Sequence, residues 1–126
     1  RGVPIAEYQS LQLHIAEAAA EIDAARLLLM RDTGDAMTAM QDGRDLTLLE
    51  RGRNRRDQAY IVRLFRQAVG PLFTAVGGQG IFLDNAAQAK FRDIHAMSGH
   101  LALGWDIAGT TYGRVALGLE PDARLI

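Results

Sequence analysis

Three histidines, His14, His95 and His100, are the side chains of this 126-residue chain best suited to proton chemistry near neutral pH. No cysteine accompanies them, so a disulfide framework, a thiolate nucleophile and a cysteine-ligated zinc or iron–sulfur site are all excluded. None of the three has a glutamate three residues before it, and no His-Glu-x-x-His occurs. The di-iron bundle and the helical zinc-protease arrangements are therefore out, and no metal is expected. His95 and His100 are five residues apart, which on one helix points them about 140° away from each other. Across a glycine break they become independent, and each is free to face a cleft. His14 lies beside an apolar stripe, where a hydrogen-bonded histidine near the core is the expectation.

Two further clusters have residue types that bind anions. Arg51, Arg53, Arg55 and Arg56 lie together, with Arg63 and Arg66 one and two turns further on. They read either as a phosphate site or as a solvated face near a helix start, and the solvated face is the expectation. Gly77-Gly78-Gln79-Gly80 lacks the Lys-Ser/Thr of a phosphate-binding loop and follows no strand, so it reads as a helix-ending loop. Fourteen basic residues balance fifteen acidic ones, and no aromatic residue lies within the Arg51–Arg56 cluster. Nucleic acid is not an expected partner. Nor is a membrane, because no apolar run approaches the ~18 residues of a span. The absence of cysteine fits a reducing compartment, and a cytoplasmic location is expected.

The elements that must position these residues are helical. Tyr8, Leu11, Ile15, Ala18, Ile22, Ala25 and Leu29 step by three and four, predicting a helix from Ile5 to Met30 with Pro4 at its start. Gly34 should weaken it, Ala36–Met40 should resume it, and Asp42-Gly43 should end it. Ile61, Leu64, Phe65, Ala68, Val69, Leu72, Phe73 and Val76 predict a second helix, bent at Gly70-Pro71. Asp84-Asn85 offers an N-cap to a third region, whose stripe runs Ile94, Ser98, Leu101, Trp105, Ala108, Tyr112, Val115 and Leu119. A break is expected near Ser98-Gly99, with a last helix to about Gly118. No alternating stretch is long enough for a strand. The expected fold is all-α, an up-down helical bundle of one domain over residues 1–126, built on three long helices that need partner helices to close their core. The opening Arg1-Gly2-Val3-Pro4 carries neither an initiator Met nor a signal-peptide pattern, so a piece of a longer chain is expected.

Gly2-Val3-Pro4-Ile5-Ala6-Glu7-Tyr8-Gln9 resembles the FG-x-P-I/L-x-x-F/Y-Q opening of the C-terminal helical domain of acyl-CoA dehydrogenases. Glu21–Arg26 resembles the E-I-x-A-A-R of the same helix, and Gly77-Gly78 followed by Phe91-Arg92-Asp93 resembles the family's GG…YRDAR stretch. Dehydrogenases of this fold carry a glutamate base about nine residues after that arginine. Here no carboxylate occurs between Asp93 and Asp106, so ordinary acyl-CoA dehydrogenation is not expected. Arg92–His100 instead resembles the RD-x-HA-x-S/A-x-H stretch of the flavin-dependent monooxygenase branch, and Tyr112–Gly118 resembles the tail of that branch.

The resemblance implies the oxygenase component of a two-component hydroxylase acting on an aromatic substrate through a flavin C4a-hydroperoxide. It implies reduced FMN or FAD delivered by a separate flavin reductase, a homotetramer, and an N-terminal helical domain and β-domain outside this stretch. His100 inherits the catalytic hydrogen bond, Gly77 and Gly78 approach the flavin, His95 orients the turn, and Arg92 with Asp93 form an ion pair at the helix end. The stretch by itself is expected to be inactive. Two alternatives stand beside this reading: an acyl-CoA dehydrogenase-like oxidoreductase with a relocated base, and a non-catalytic helical oligomerisation module.

Overall fold

A computed structural model describes residues 3–122, so Arg1 and Gly2 of the expected opening motif lie outside the described residues. Two long helices, α1 (Gln9–Gln41) and α2 (Leu48–Val76), run antiparallel. Arg31 meets Asp57 and Asp35 meets Arg53, so later residues of α1 face earlier ones of α2. Two 12-residue helices, α3 (Ala86–Met97) and α4 (Trp105–Ala116), pack on α2, with 3₁₀ turns at Ile5–Glu7, Gly77–Ile81 and Leu101–Leu103. No strand occurs among the described residues. The expected all-α bundle is observed, and its third region breaks close to the expected Ser98-Gly99, into α3 and α4. Its stripe is divided where the Gly99 and His100 N–H groups bond back to Ala96 and Met97 and turn the chain out of α3.

Along α1 the buried residues are Ala18, Ala25, Asp32 and Ala39, each seven from the next. That spacing marks a seam along one side of the helix, and its small side chains let α2 approach closely. Ala25 joins Ile61 and Leu64 in the core, backed by Leu28 and Phe65. The apolar stripe of the sequence covers this seam only in part: Tyr8, Ile15, Ile22 and Leu29 stay exposed. They form an unburied flank of the same helix.

Three boundaries differ from expectation. Ile5–Glu7 is a 3₁₀ turn, and the extended Tyr8 separates it from α1. Gly34 does not interrupt α1, although glycine costs roughly 1 kcal/mol against alanine in a helix. The helix is fastened on both sides of it: Asp32 and Asp35 pair with Arg53, and the Thr38 hydroxyl donates to the Gly34 carbonyl at 3.0 Å. It ends as expected at Gly43, whose φ of 64° lets Gly43 and Arg44 donate back to Met40 and Ala39. Finally, α2 starts at Leu48, well before the apolar stripe at Ile61. Thr47 accepts from the Glu50 N–H while the Glu50 carboxylate accepts from the Thr47 N–H, a reciprocal cap. Beyond it, α2 continues as one helix through Pro71.

Candidate functional site

The turn between α3 and α4 presents His100. Its Nδ1 accepts a hydrogen bond from the Ala102 N–H at 3.1 Å, capping the Leu101–Leu103 turn. A neutral imidazole with Nδ1 as acceptor carries its proton on Nε2. The exposed ring thus offers one N–H outward, without a partner among the described residues. His95 is engaged differently. Its Nδ1 lies 2.8 Å from the Phe91 carbonyl, its ring lies 4.1 Å from that of Phe91, and Phe91 stacks on Phe73 at 4.4 Å. Phe73 in turn lies under Gly80, where an added Cβ would come 2.9 Å from its Cζ. This stack joins α3 to α2 and to the Gly77–Ile81 turn.

His14 departs from expectation. Its Nδ1 has no hydrogen bond, because the nearest carboxylate, Glu17, stays at 3.9 Å. It lines an open groove of about 590 Å³ between the start of α1 and the end of α2, with Tyr8, Leu11, Pro71 and Thr74. Arg92 and Asp93 depart too: both are exposed, and neither forms an ion pair among the described residues.

Gly77 and Gly78 are exposed at the end of α2, Gly77 with a φ of 63° that favours glycine. Nothing lies within 4 Å of a Cβ built at either position, so their backbone is open to an approaching group. The Asn85 amide holds the turn by donating to the Gln79 carbonyl at 3.2 Å, while its oxygen caps α3 through the Ala87 N–H. Five surface grooves are lined by other residues, none by Gly77, Gly78 or His100. Among the described residues, Gly77, Gly78 and His100 thus stand on open surface without an enclosure around them.

The arginine cluster splits, correcting the expectation of a uniformly solvated face. Arg53 and Arg56 are half-buried. Arg53 pairs with Asp35 and lies 3.9 Å from Asp32, while Arg56 pairs with Asp57 at 2.7 Å and covers the Tyr112 ring at 4.3 Å. Arg31 reaches Asp57 from α1. Asp57 is 1% exposed and lies at the centre of this network. Burial, together with the charge and hydrogen bond of Asp57, holds the Asp32 carboxyl above the ordinary carboxylate range, against Arg31 and Arg53. At the α1–α2 connection Arg44 grips Glu50 with two hydrogen bonds, and Glu50 is lowered to about 2 by Arg44 and Thr47. Asp32 and Asp57 were not singled out from the sequence. The seven-residue step from Ala25 to Asp32 to Ala39 was the available signal. No group of three or more His, Cys, Asp or Glu side chains that could hold a metal ion is assembled among the described residues.

A family model described as "Acyl-CoA dehydrogenase, C-terminal domain" matches residues 1–105. The chain belongs to the acyl-CoA dehydrogenase C-terminal domain family. Within that family it is 39% identical over 124 residues to the oxygenase component of an FADH(2)-dependent resorcinol hydroxylase from a Rhizobium species, covering 95% of this chain and 30% of that protein. It is 36% identical over 73 residues to the oxygenase component of p-hydroxyphenylacetate 3-hydroxylase from Acinetobacter baumannii, 57% of this chain and 17% of that one. The acyl-CoA dehydrogenase C-terminal fold is shared with the crystal structure of 3-HSA hydroxylase from Rhodococcus sp. RHA1, at a TM-score of 0.89 and 27% identity over 95% of this chain and 32% of the other. XiaF from Streptomyces sp., solved in complex with FADH2 and glycerol, matches at 0.88 and 25% identity over 96% and 32%. The chain spans about 30% of the length of the first of these relatives. No helix of the described residues is long and apolar enough to cross a membrane.

Proposed function

We propose that this acyl-CoA dehydrogenase C-terminal domain is the helical end of the oxygenase component of a two-component hydroxylase acting on an aromatic substrate. The observation that carries the reading is the 39% identity, across nearly the whole chain, to a resorcinol hydroxylase oxygenase component. The exposed His100 adds to it, standing in a stretch, residues 94–105, that contains no carboxylate. A dehydrogenase would need its base from elsewhere. A further N-terminal helical domain and a β-domain supply the rest of the enzyme, consistent with the share of the relatives that this chain spans.

The residues present fit a reduced flavin, FMN or FAD, as one wall of its site: open backbone at Gly77 and Gly78, and an outward imidazole N–H at His100. When bound, the reduced flavin supplies the electrons that activate dioxygen. His100 donates its Nε2 proton in a hydrogen bond into the site, and its neutral form suits a site from which water is excluded. Gly77 and Gly78 let a flavin come against the main chain. A separate reductase delivers the reduced flavin, the protein acts in the cytoplasm, and the exposed flank of α1 packs against neighbouring copies in a homotetramer.

The test is hydroxylated product formed per reduced flavin consumed, measured on the full oxygenase with aromatic substrates and a free reductase. Coupled hydroxylation supports the reading. Oxidation of an acyl-CoA thioester without oxygen incorporation would replace it with the dehydrogenase alternative.

A further inference from the structure

His100 stands on a bridge between two helices that are each fastened to α2. Both α3 and α4 pack on α2, as does the Leu101–Leu103 turn between them. Ahead of His100, the His95 and Phe91 rings lie 4.1 Å apart, and Phe91 stacks on Phe73 of α2 at 4.4 Å. Behind it, the Trp105 ring lies 5.4 Å from that of Tyr60 on α2, and the Arg63 guanidinium carbon is 5.7 Å from the Trp105 centroid. His95 and Trp105 are each five residues from His100, one on either side.

The anchor behind His100 has the larger task, because the start of α4 has little else to hold it. Gly104 caps α4 without a side-chain hydrogen bond, so the first-turn N–H groups lack the fastening that Asn85 gives α3. Further along, Ala108 and Thr111 are buried and Tyr112 lies under Arg56, which secures the body of the helix. At its first residue the hold is the Trp105 ring. Gly109, one turn on, leaves room for that ring against its own helix: an added Cβ would come 3.4 Å from two of its atoms. The turn itself closes only on local bonds. The Leu103 N–H donates to the His100 carbonyl at 2.8 Å, the Gly104 N–H to the Leu101 carbonyl at 3.3 Å, and the Ala102 N–H to His100 Nδ1.

We propose that Trp105 is a positioning residue for His100: it pins the start of α4 to α2 through Tyr60 and so fixes where the His100 Nε2–H points. Without the ring, the uncapped first turn of α4 frays, and the fraying reaches the Leu101–Leu103 turn directly before it. That turn carries the Ala102 bond which sets the outward edge of the imidazole. A hydrogen bond weakens steeply as its angle closes, so a donor that wanders is a poorer donor. The consequence for hydroxylation rests on the oxygenase reading above; the anchoring of the turn does not.

Two measurements on the intact oxygenase test this. One is amide hydrogen exchange over residues 100–104. The other is hydroxylated product per bound reduced flavin in a single turnover, a ratio that a smaller folded fraction does not alter. Trp105→Ala should speed exchange in the turn about tenfold, the size of an aromatic pair's contribution, and lower the product ratio about twofold or more. Trp105→Phe, which keeps a ring facing Tyr60, should hold both near the parent. Tyr60→Leu takes the partner ring from α2 and should reproduce the loss, which keeps the test open if Trp105→Ala folds poorly. Adding Trp105→Ala to His100→Ala should lower the ratio no further than His100→Ala alone, because the two residues act as one. Unchanged exchange in both Trp105→Ala and Tyr60→Leu overturns the anchoring. Faster exchange with a parental ratio, or losses that add in the double variant, overturns the positioning role. Faster exchange in an oxygenase whose unaltered form yields no hydroxylated product supports the anchoring and brings down the oxygenase reading instead.

Discussion

His100 Nδ1 and the Ala102 amide nitrogen are 3.1 Å apart, and that contact decides which edge of the imidazole faces outward. A backbone N–H can only donate, so the proton of the neutral ring stands on Nε2. One backbone contact thereby turns a histidine of undetermined tautomer into a directed donor.

Replacing His100 by Ala removes that donor. In a water-poor site the loss is roughly 1–3 kcal/mol, or about 5- to 150-fold in rate. The full oxygenase should release more hydrogen peroxide and form less hydroxylated product per reduced flavin, with its melting temperature little changed because the ring is exposed. His14→Ala is the comparison and should leave product yield intact. Equal yields from both variants would return His100 to a capping role.

Asp57→Ala should be among the most destabilising substitutions in α2. It leaves Arg56 without its carboxylate, and Arg31 with only Asp32, at 3.7 Å. Breaking such a pair costs about 3–5 kcal/mol, and the partial exposure of both arginines puts this case at the low end. A urea midpoint unchanged within error would show that water replaces the carboxylate.

The two perturbed carboxyls should answer acid in opposite directions. Asp32 sits above its ordinary range, so the fold prefers it protonated; its contribution is fully present below the unfolded value and lost as pH rises through the folded one. Asp32→Asn should therefore be neutral or stabilising at pH 7 and lose that advantage on acidification. Glu50, lowered to about 2, contributes above its unfolded value and loses its effect as pH falls towards 2. Glu50→Gln should destabilise at pH 7 and match the parent near pH 2. Urea midpoints across that interval check both signs.

In the glycine loop two substitutions should separate packing from approach. Gly80→Ala pushes a methyl onto Phe73 and should cost about 1–3 kcal/mol, recoverable by Phe73→Leu. Gly78→Ala meets nothing within 4 Å and should melt like the parent while weakening reduced-flavin binding in the full oxygenase. Unaltered binding would remove Gly78 from the flavin wall.

The exposed flank of α1, with Ile15, Ile22, Leu29 and Met37, should make the protein associate. Light scattering at micromolar concentration should give a dimer or tetramer. A monomer with a cooperative melt would count against assembly through this helix.

Much of the bundle was legible in the residues themselves. The stripe from Ile61 to Val76 is buried or half-buried along its length, and Asn85 caps α3 as its type and place foretold. The first turns of α2 were not legible by periodicity, since residues 50–58 are mostly charged, although Thr47 and Glu50 carried the capping signature. Gly34 misled because local propensity knows nothing of Arg53, 19 positions on. The pairing of Arg31 with Asp57 spans 26 residues and depends on how two helices align, which no local pattern states. The outward N–H of His100 required the geometry of a turn.

Ala18, Ala25 and Ala39 make three nearly identical notches along α1. A helix sliding along such a row by one repeat moves roughly 10.5 Å and meets much the same surface again. Asp32 is the notch that differs, and Asp57 with its arginines fits only there. The ionic cluster thus works as a key against slippage of the hairpin, a role for buried polar groups distinct from adding stability. A variant with apolar residues at both aspartates and at their arginine partners would keep or raise its melting temperature and give up its single alignment.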